Sequence, residues 1–125
     1  IEADTFLMTH TTNPFLRSET IRQAISELLE SQNDSLFTVN KLQTRFYNSD
    51  CVPINHDPNK LERTQDLEPY FEENSCLYIF TKEGFLKNGN RIGVNPIMKE
   101  ISRVESIDID NMEDWNLAEI IAKKK

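Results

Sequence analysis

The chain has 125 residues, with 14 Lys plus Arg against 21 Asp plus Glu, a formal net charge of −7. That length fits one small domain, and the acidic balance argues against non-specific nucleic-acid binding, which needs clustered cations to release counterions. No stretch is apolar for long enough to span a bilayer and none reads as a signal peptide; Cys51 and Cys76 fit no zinc spacing and need not pair, so they are expected to be free thiols in a reduced, cytoplasmic setting.

Phe6–Leu7–Met8 is a short apolar run between polar residues and predicts a buried strand. A buried strand requires neighbours on both sides. The expectation is therefore the C-terminal part of a longer chain, with strands preceding Ile1. Thr11–Thr12–Asn13–Pro14 marks a turn. Ser18 is the predicted N-cap of a helix, with Glu19 in its first turn and Ile21, Ala24, Ile25, Leu28 and Leu29 spaced as one apolar stripe. Ser31 to Asp34 end it. Leu36 to Leu42 predicts a second strand, with Phe37 and Val39 on one face and Leu36, Thr38 and Asn40 on the other. Strand, helix and strand predict a βαβ unit with a right-handed crossover and parallel pairing.

Phe46 to Ser75 changes character, with Pro53, Pro58 and Pro69 and little periodicity. A structureless loop of that length is unusual in a compact domain, so an excursion with short strands or a hairpin is expected there, packing on something else such as a second subunit. Cys76 to Phe80 reads as a central strand. Lys82 to Leu86 suggests a helical turn that stops near Asn88–Gly89, and Ile97 to Ile101 a strand started by Pro96. Ile107 and Ile109 alternate with Ser106, Asp108 and Asp110 at the period of a strand. A last helix is expected from Met112, with Met112, Trp115 and Ala118 among its apolar positions and Lys123 to Lys125 at its C-terminal dipole.

Asp108 and Asp110 are the sharpest chemical signal. At i and i+2 of a strand both carboxylates share a side, where they repel unless a cation lies near. They fall where a strand hands over to a helix, the edge at which open α/β sheets bind ligands. Mg²⁺ takes one or two carboxylates and completes its shell with water and substrate phosphate. The competing use of Asp110, with Glu113 three residues on, is a capping box. Arg63 and Gln65 are candidates for holding a carboxylate or phosphate, against the plainer role of a surface arginine paired with Glu62 or Asp66. His10 lies at the C-terminal end of the first strand, again at the ligand edge. The glycines Gly84, Gly89 and Gly93 form no phosphate loop, and there is no nucleophile–His–Asp set.

Several of these segments in one order resemble the C-terminal half of the acylneuraminate cytidylyltransferases. They are His10–Thr11–Thr12–Asn13–Pro14–Phe15–Leu16, the βαβ unit, Arg63–Thr64–Gln65–Asp66–Leu67, Glu72 to Phe80 and Ser106–Ile107–Asp108–Ile109–Asp110. The resemblance covers nearly all 125 residues. It implies an α/β fold, a Rossmann-like sheet of the nucleotide-diphospho-sugar transferase type, with residues 43–75 as a dimerisation excursion reaching a second copy. It implies transfer of CMP from CTP to a sialic-type sugar acid with release of pyrophosphate. The alternatives are a non-catalytic homodimerising module and a different keto-sugar acid as acceptor. By position, Asp108 and Asp110 match the pair that holds Mg²⁺. His10 stands for a glutamine that contacts the sugar, with Thr12 and Asn13 continuing that stretch. Arg63 matches an excursion arginine that approaches the sugar's acidic end in the partner's site, and Gln65 and Asn74 join the substrate-binding set. Gln43 stands roughly where the family tends to have a lysine. The family's N-terminal nucleotide-binding loop has no counterpart in these residues, so the chain alone is expected to be inactive.

Overall fold

The computed structural model describes residues 2–124. In chain order its elements are β1 (Thr5–Thr9), α1 (Ser18–Leu29), β2 (Ser35–Leu42), a 3₁₀ turn (Thr64–Asp66), β3 (Tyr70–Thr81), α2 (Lys82–Asn88), β4 (Pro96–Glu100) and α3 (Met112–Lys123). The chain divides into a main unit, Ile1–Asn40 with Glu73–Lys125, and a second unit, Lys41–Glu72.

The described sheet has the order β1-β3-β2-β4. β1 runs antiparallel to β3, with Thr5 opposite Thr81 and Thr9 opposite Leu77, and β2 runs parallel to β4, with Ser35 opposite Pro96. The expected direct pairing of the first two strands is therefore corrected: β3 lies between them. Its run Cys76–Ile79 is fully buried, so the most apolar strand takes the interior place. β1 forms one edge of the described sheet, and Leu7 is 42% exposed.

Alternation along β3 divides the core. Leu77 and Ile79 join Leu36 beneath Ala24 and Leu28 of α1, with Leu16, Ile21, Ile25 and Ile97 around them. Phe80 serves another cluster, where its ring stacks on Phe6 at 5.8 Å and meets Phe85 of α2 at 5.5 Å. Leu29, the last member of the predicted stripe, is 66% exposed because the helix ends there. α2 is capped at both ends. The Thr81 side chain accepts from Gly84 N–H, and Gly89 takes the left-handed φ of 63° that favours glycine. No helix among the described residues is long and apolar enough to cross a membrane.

The second unit is organised by asparagine and glutamine side chains. Asn48 Oδ1 accepts from the N–H groups of Asp50 (2.9 Å) and Val52 (3.1 Å), closing a tight turn beside an isolated antiparallel bridge between Tyr47 and Pro53. Gln43 Nε2 donates to the carbonyls of Gln65 (2.9 Å) and Leu67 (2.8 Å), and Phe46 stacks on Tyr70 at 5.9 Å. The strand expected from Cys76 begins earlier, at Tyr70, within sequence read as excursion.

Candidate functional site

The site is built on the connection between β4 and α3, residues 101–111. Despite its period-two pattern, this stretch is not a strand: a turn at 103–106 is followed by irregular backbone through Asp110. Its polar backbone finds partners in the turn after β1 instead. Ile109 N–H donates to the Thr12 carbonyl (2.9 Å), and the buried Asn13 side chain donates from Nδ2 to the Ile107 carbonyl (3.2 Å). These two bonds bring the His10–Asn13 turn and the Asp108–Asp110 segment together, so five of the sequence-predicted residues share one edge of the main unit.

Asp108 is half-buried, and its Oδ1 is buried without a hydrogen-bond partner. Asp110 is exposed, and its N–H donates to Asp114 Oδ2 (3.0 Å). Neither carboxylate accepts a hydrogen bond or forms an ion pair among the described residues. The expected capping box of Asp110 and Glu113 is displaced by one residue. Asn111 is the N-cap of α3, its side chain accepting from Asp114 N–H at 2.8 Å. The Asp110 carboxylate is thus not used by the helix.

His10 is exposed, and its Nδ1–H donates to the Ser75 carbonyl (2.6 Å), leaving Nε2 as the ring's remaining polar atom. Ser75 has φ of 61°, the left-handed region, within β3. Asn74 is engaged inside the sheet. Its Oδ1 accepts from the Thr38 hydroxyl (2.6 Å) and from Cys76 N–H (3.2 Å), and its Nδ2 donates to Asn40 Oδ1 (3.1 Å). Thr12 is exposed. Arg63 and Gln65 belong to the second unit. The Arg63 guanidinium pairs with Asp66 at 3.1 Å, both side chains largely in solvent, and the Gln65 carbonyl accepts from Gln43.

Sequence reasoning missed Glu105. Buried on the same connection, it accepts from Arg17 N–H (3.0 Å) and from the Thr20 hydroxyl (2.6 Å) through one oxygen. It caps the start of α1, where Ser18 was expected to act. The true N-cap position is Arg17, which makes no side-chain cap. Cys76 lies beneath, its buried thiol pushed up from 9.0 to about 11, first by burial and then by the negative charges of Asp108 and Glu105.

No group of three or more His, Cys, Asp or Glu side chains is arranged to hold a metal among the described residues. Structural zinc needs four such ligands and is not served here. Mg²⁺ is satisfied by one or two carboxylates with water and phosphate, and the orphaned Asp108 oxygen suits that mode. Beside the site, Pro14, Phe15, Ile109, Trp115 and Ala118 line a largely apolar cavity of about 400 Å³.

Residues 1–125 match the family described as Cytidylyltransferase. A CMP-N,N'-diacetyllegionaminic acid synthase of Legionella pneumophila is 33% identical over 93% of the chain and 53% of its own length. The post-translational flagellin modification protein B of Campylobacter coli is 23% identical over 98% of the chain and 54% of its own length. The chain thus spans about half the length of these curated relatives. The crystal structure of a 4-diphosphocytidyl-2C-methyl-D-erythritol synthase from Anaerococcus prevotii superposes with a TM-score of 0.62 at 13% identity, covering 97% of this chain and 59% of that one. The mixed sheet flanked by helices is accordingly the Rossmann-like, nucleotide-diphospho-sugar transferase type of α/β fold expected from the sequence. With every residue from 1 to 125 inside the match, the chain belongs to the cytidylyltransferase family.

Proposed function

We propose that this chain is the acceptor-side and metal-anchoring part of an enzyme that transfers CMP from CTP to a nonulosonic acid and releases pyrophosphate. The observation that carries the reading is the buried, unpartnered Asp108 Oδ1 next to the Thr12–Asn13 turn. A buried acceptor without a donor is costly, and a cation is the partner an ionised carboxylate oxygen takes when no N–H or O–H is offered. Asp108 and Asp110 would hold Mg²⁺, which when bound supplies positive charge against the phosphates and the departing pyrophosphate. Similarity to a CMP-N,N'-diacetyllegionaminic acid synthase supports a nonulosonic acid as the acceptor.

The chain's own residues position that acceptor. His10, with Nδ1–H committed to Ser75, offers Nε2 to a sugar hydroxyl, and Thr12 offers its hydroxyl from the same turn. Asn13 keeps the aspartate segment against the turn, and Asn74 stiffens β3 behind His10. Arg63 would meet the sugar carboxylate as a bidentate fork, with Gln65 beside it. Exchanging Asp66 for that ligand is cheap, since an exposed ion pair contributes about 0–1 kcal/mol. In the family's manner this contact is made in a second copy of the chain, reached through residues 43–75. Unpaired thiols and a CTP substrate suit a cytoplasmic enzyme.

The test is CTP- and Mg²⁺-dependent pyrophosphate release by the intact protein with a panel of nonulosonic acids. Asp108→Asn is expected to lower kcat by on the order of 10²-fold or more, the several kcal/mol that a metal contributes. Asp110→Asn is expected to do likewise. Turnover near wild type in both variants at ordinary Mg²⁺ would overturn the assignment.

A further inference from the structure

Glu105 is 7% exposed, and a single one of its oxygens, Oε1, accepts both the Arg17 N–H and the Thr20 hydroxyl. These donors open α1, and helix-start N–H groups favour a negative partner. The same residue is fastened through its backbone: its N–H donates to Ser102 Oγ (3.2 Å), and its carbonyl lies 3.9 Å from the Cys76 thiol. Three residues on stands Asp108. Residues 107–110 belong to no strand or helix, so no ladder fixes them. Ile107 N–H donates to the Val104 carbonyl (3.3 Å) and Asp110 N–H to Asp114 Oδ2 (3.0 Å), and the segment is tied to the rest of the main unit by the Thr12 and Asn13 bonds on one side and through Glu105 on the other.

We propose that Glu105 is a positioning residue: by clamping the opening turn of α1 it fixes the Ile107–Asp110 segment, and with it the placement of Asp108 and Asp110 for a divalent cation. The proposal rests on the reading of those aspartates as metal holders. Because one oxygen makes both bonds, an amide oxygen can replace it. Glu105→Gln therefore keeps the clamp, and Glu105→Ala loses it. Thr20→Val removes one of the two donors.

The experiment measures amide exchange at Ile109 and binding of Mn²⁺ alone, by electron paramagnetic resonance, in the intact protein. Glu105→Ala is expected to speed Ile109 exchange and weaken Mn²⁺ binding by roughly tenfold or more, the worth of hydrogen bonds to a charged group. Leu77 and Ile79 amides should be unchanged. Glu105→Gln should stay within about twofold of wild type on both readouts, with Thr20→Val in between. Wild-type values in Glu105→Ala would overturn the proposal. So would losses in Glu105→Gln as large as in Glu105→Ala, since charge rather than position would then be the contribution. If Glu105→Ala does not fold, unchanged Ile109 exchange in Thr20→Val overturns it. Mn²⁺ binding that survives Asp108→Asn sinks the metal reading instead, and Ile109 exchange then decides the role of Glu105 by itself.

Discussion

Asp34 shows how much a single side chain organises. Its Oδ2 accepts from Val94 N–H (3.0 Å), its Oδ1 from the Ser35 hydroxyl (2.9 Å), and Asn95 N–H lies 3.3 Å from both oxygens. Gly93 passes so close that a Cβ there would overlap this carboxylate. Gly93→Ala is expected to cost about 1–3 kcal/mol, the usual penalty of overpacking, read as a lower denaturant midpoint at unchanged slope. Cys76 gives a second prediction. Its thiol is raised to about 11, so the native state keeps a proton that the unfolded chain releases from about 9.0 upward. The resulting stability is fully present below about pH 9 and is lost as pH rises through about 11. Urea titrations across that window should show a decline that Cys76→Ala flattens. A thiol reagent should label the exposed Cys51 in the native protein and Cys76 only after unfolding.

Among the elements, α3 begins as its first-turn chemistry dictates, with the cap one residue later than the Asp110–Glu113 spacing suggested. Asn111 accepts from Asp114 N–H, and Asp114 reciprocates toward Asp110 N–H. Asn111→Ala should cost about 1 kcal/mol in thermal or denaturant unfolding, whereas Asn111→Asp should be nearly neutral. Asp110→Asn should leave the helix unaffected, which separates its structural from its chemical consequences. The connection before α3 teaches a different lesson. Ile107 and Ile109 alternate with Asp108 and Asp110, yet Ile107, Asp108 and Ile109 are all half-buried and the segment forms no strand. That alternation needs no β-ladder, and Ile109 N–H finds the Thr12 carbonyl instead. In β3 the same ambiguity worked in reverse. Glu72 to Ser75 are charged and polar and close the proline-bearing stretch read as an excursion, yet Tyr70 to Ser75 belong to the strand, with the Ser75 left-handed residue interrupting its regularity.

For the whole molecule, the second unit exposes Tyr47, Val52 and Ile54 around its Asn48 turn, and Leu61 is 100% exposed. If that surface serves a second copy, Val52→Asp with Leu61→Asp should convert a dimer to monomers in light scattering without lowering the main unit's stability. The helices, the central place of Cys76–Phe80 and the family were legible from residue order, because periodicity, apolar runs and short motifs are local properties. The spacing of Asp108 and Asp110 predicts a same-side pair on a strand, and the structure places them on irregular backbone instead. Strand order was not legible: which strand lies between β1 and β2 depends on competition for the most buried position, which a strand–helix–strand reading cannot see. Nor was Glu105, whose partners Arg17 and Thr20 lie more than eighty residues away in the chain. A charged residue in a polar stretch becomes a helix cap only when folding delivers an uncapped helix end to it, and that meeting exists only in three dimensions.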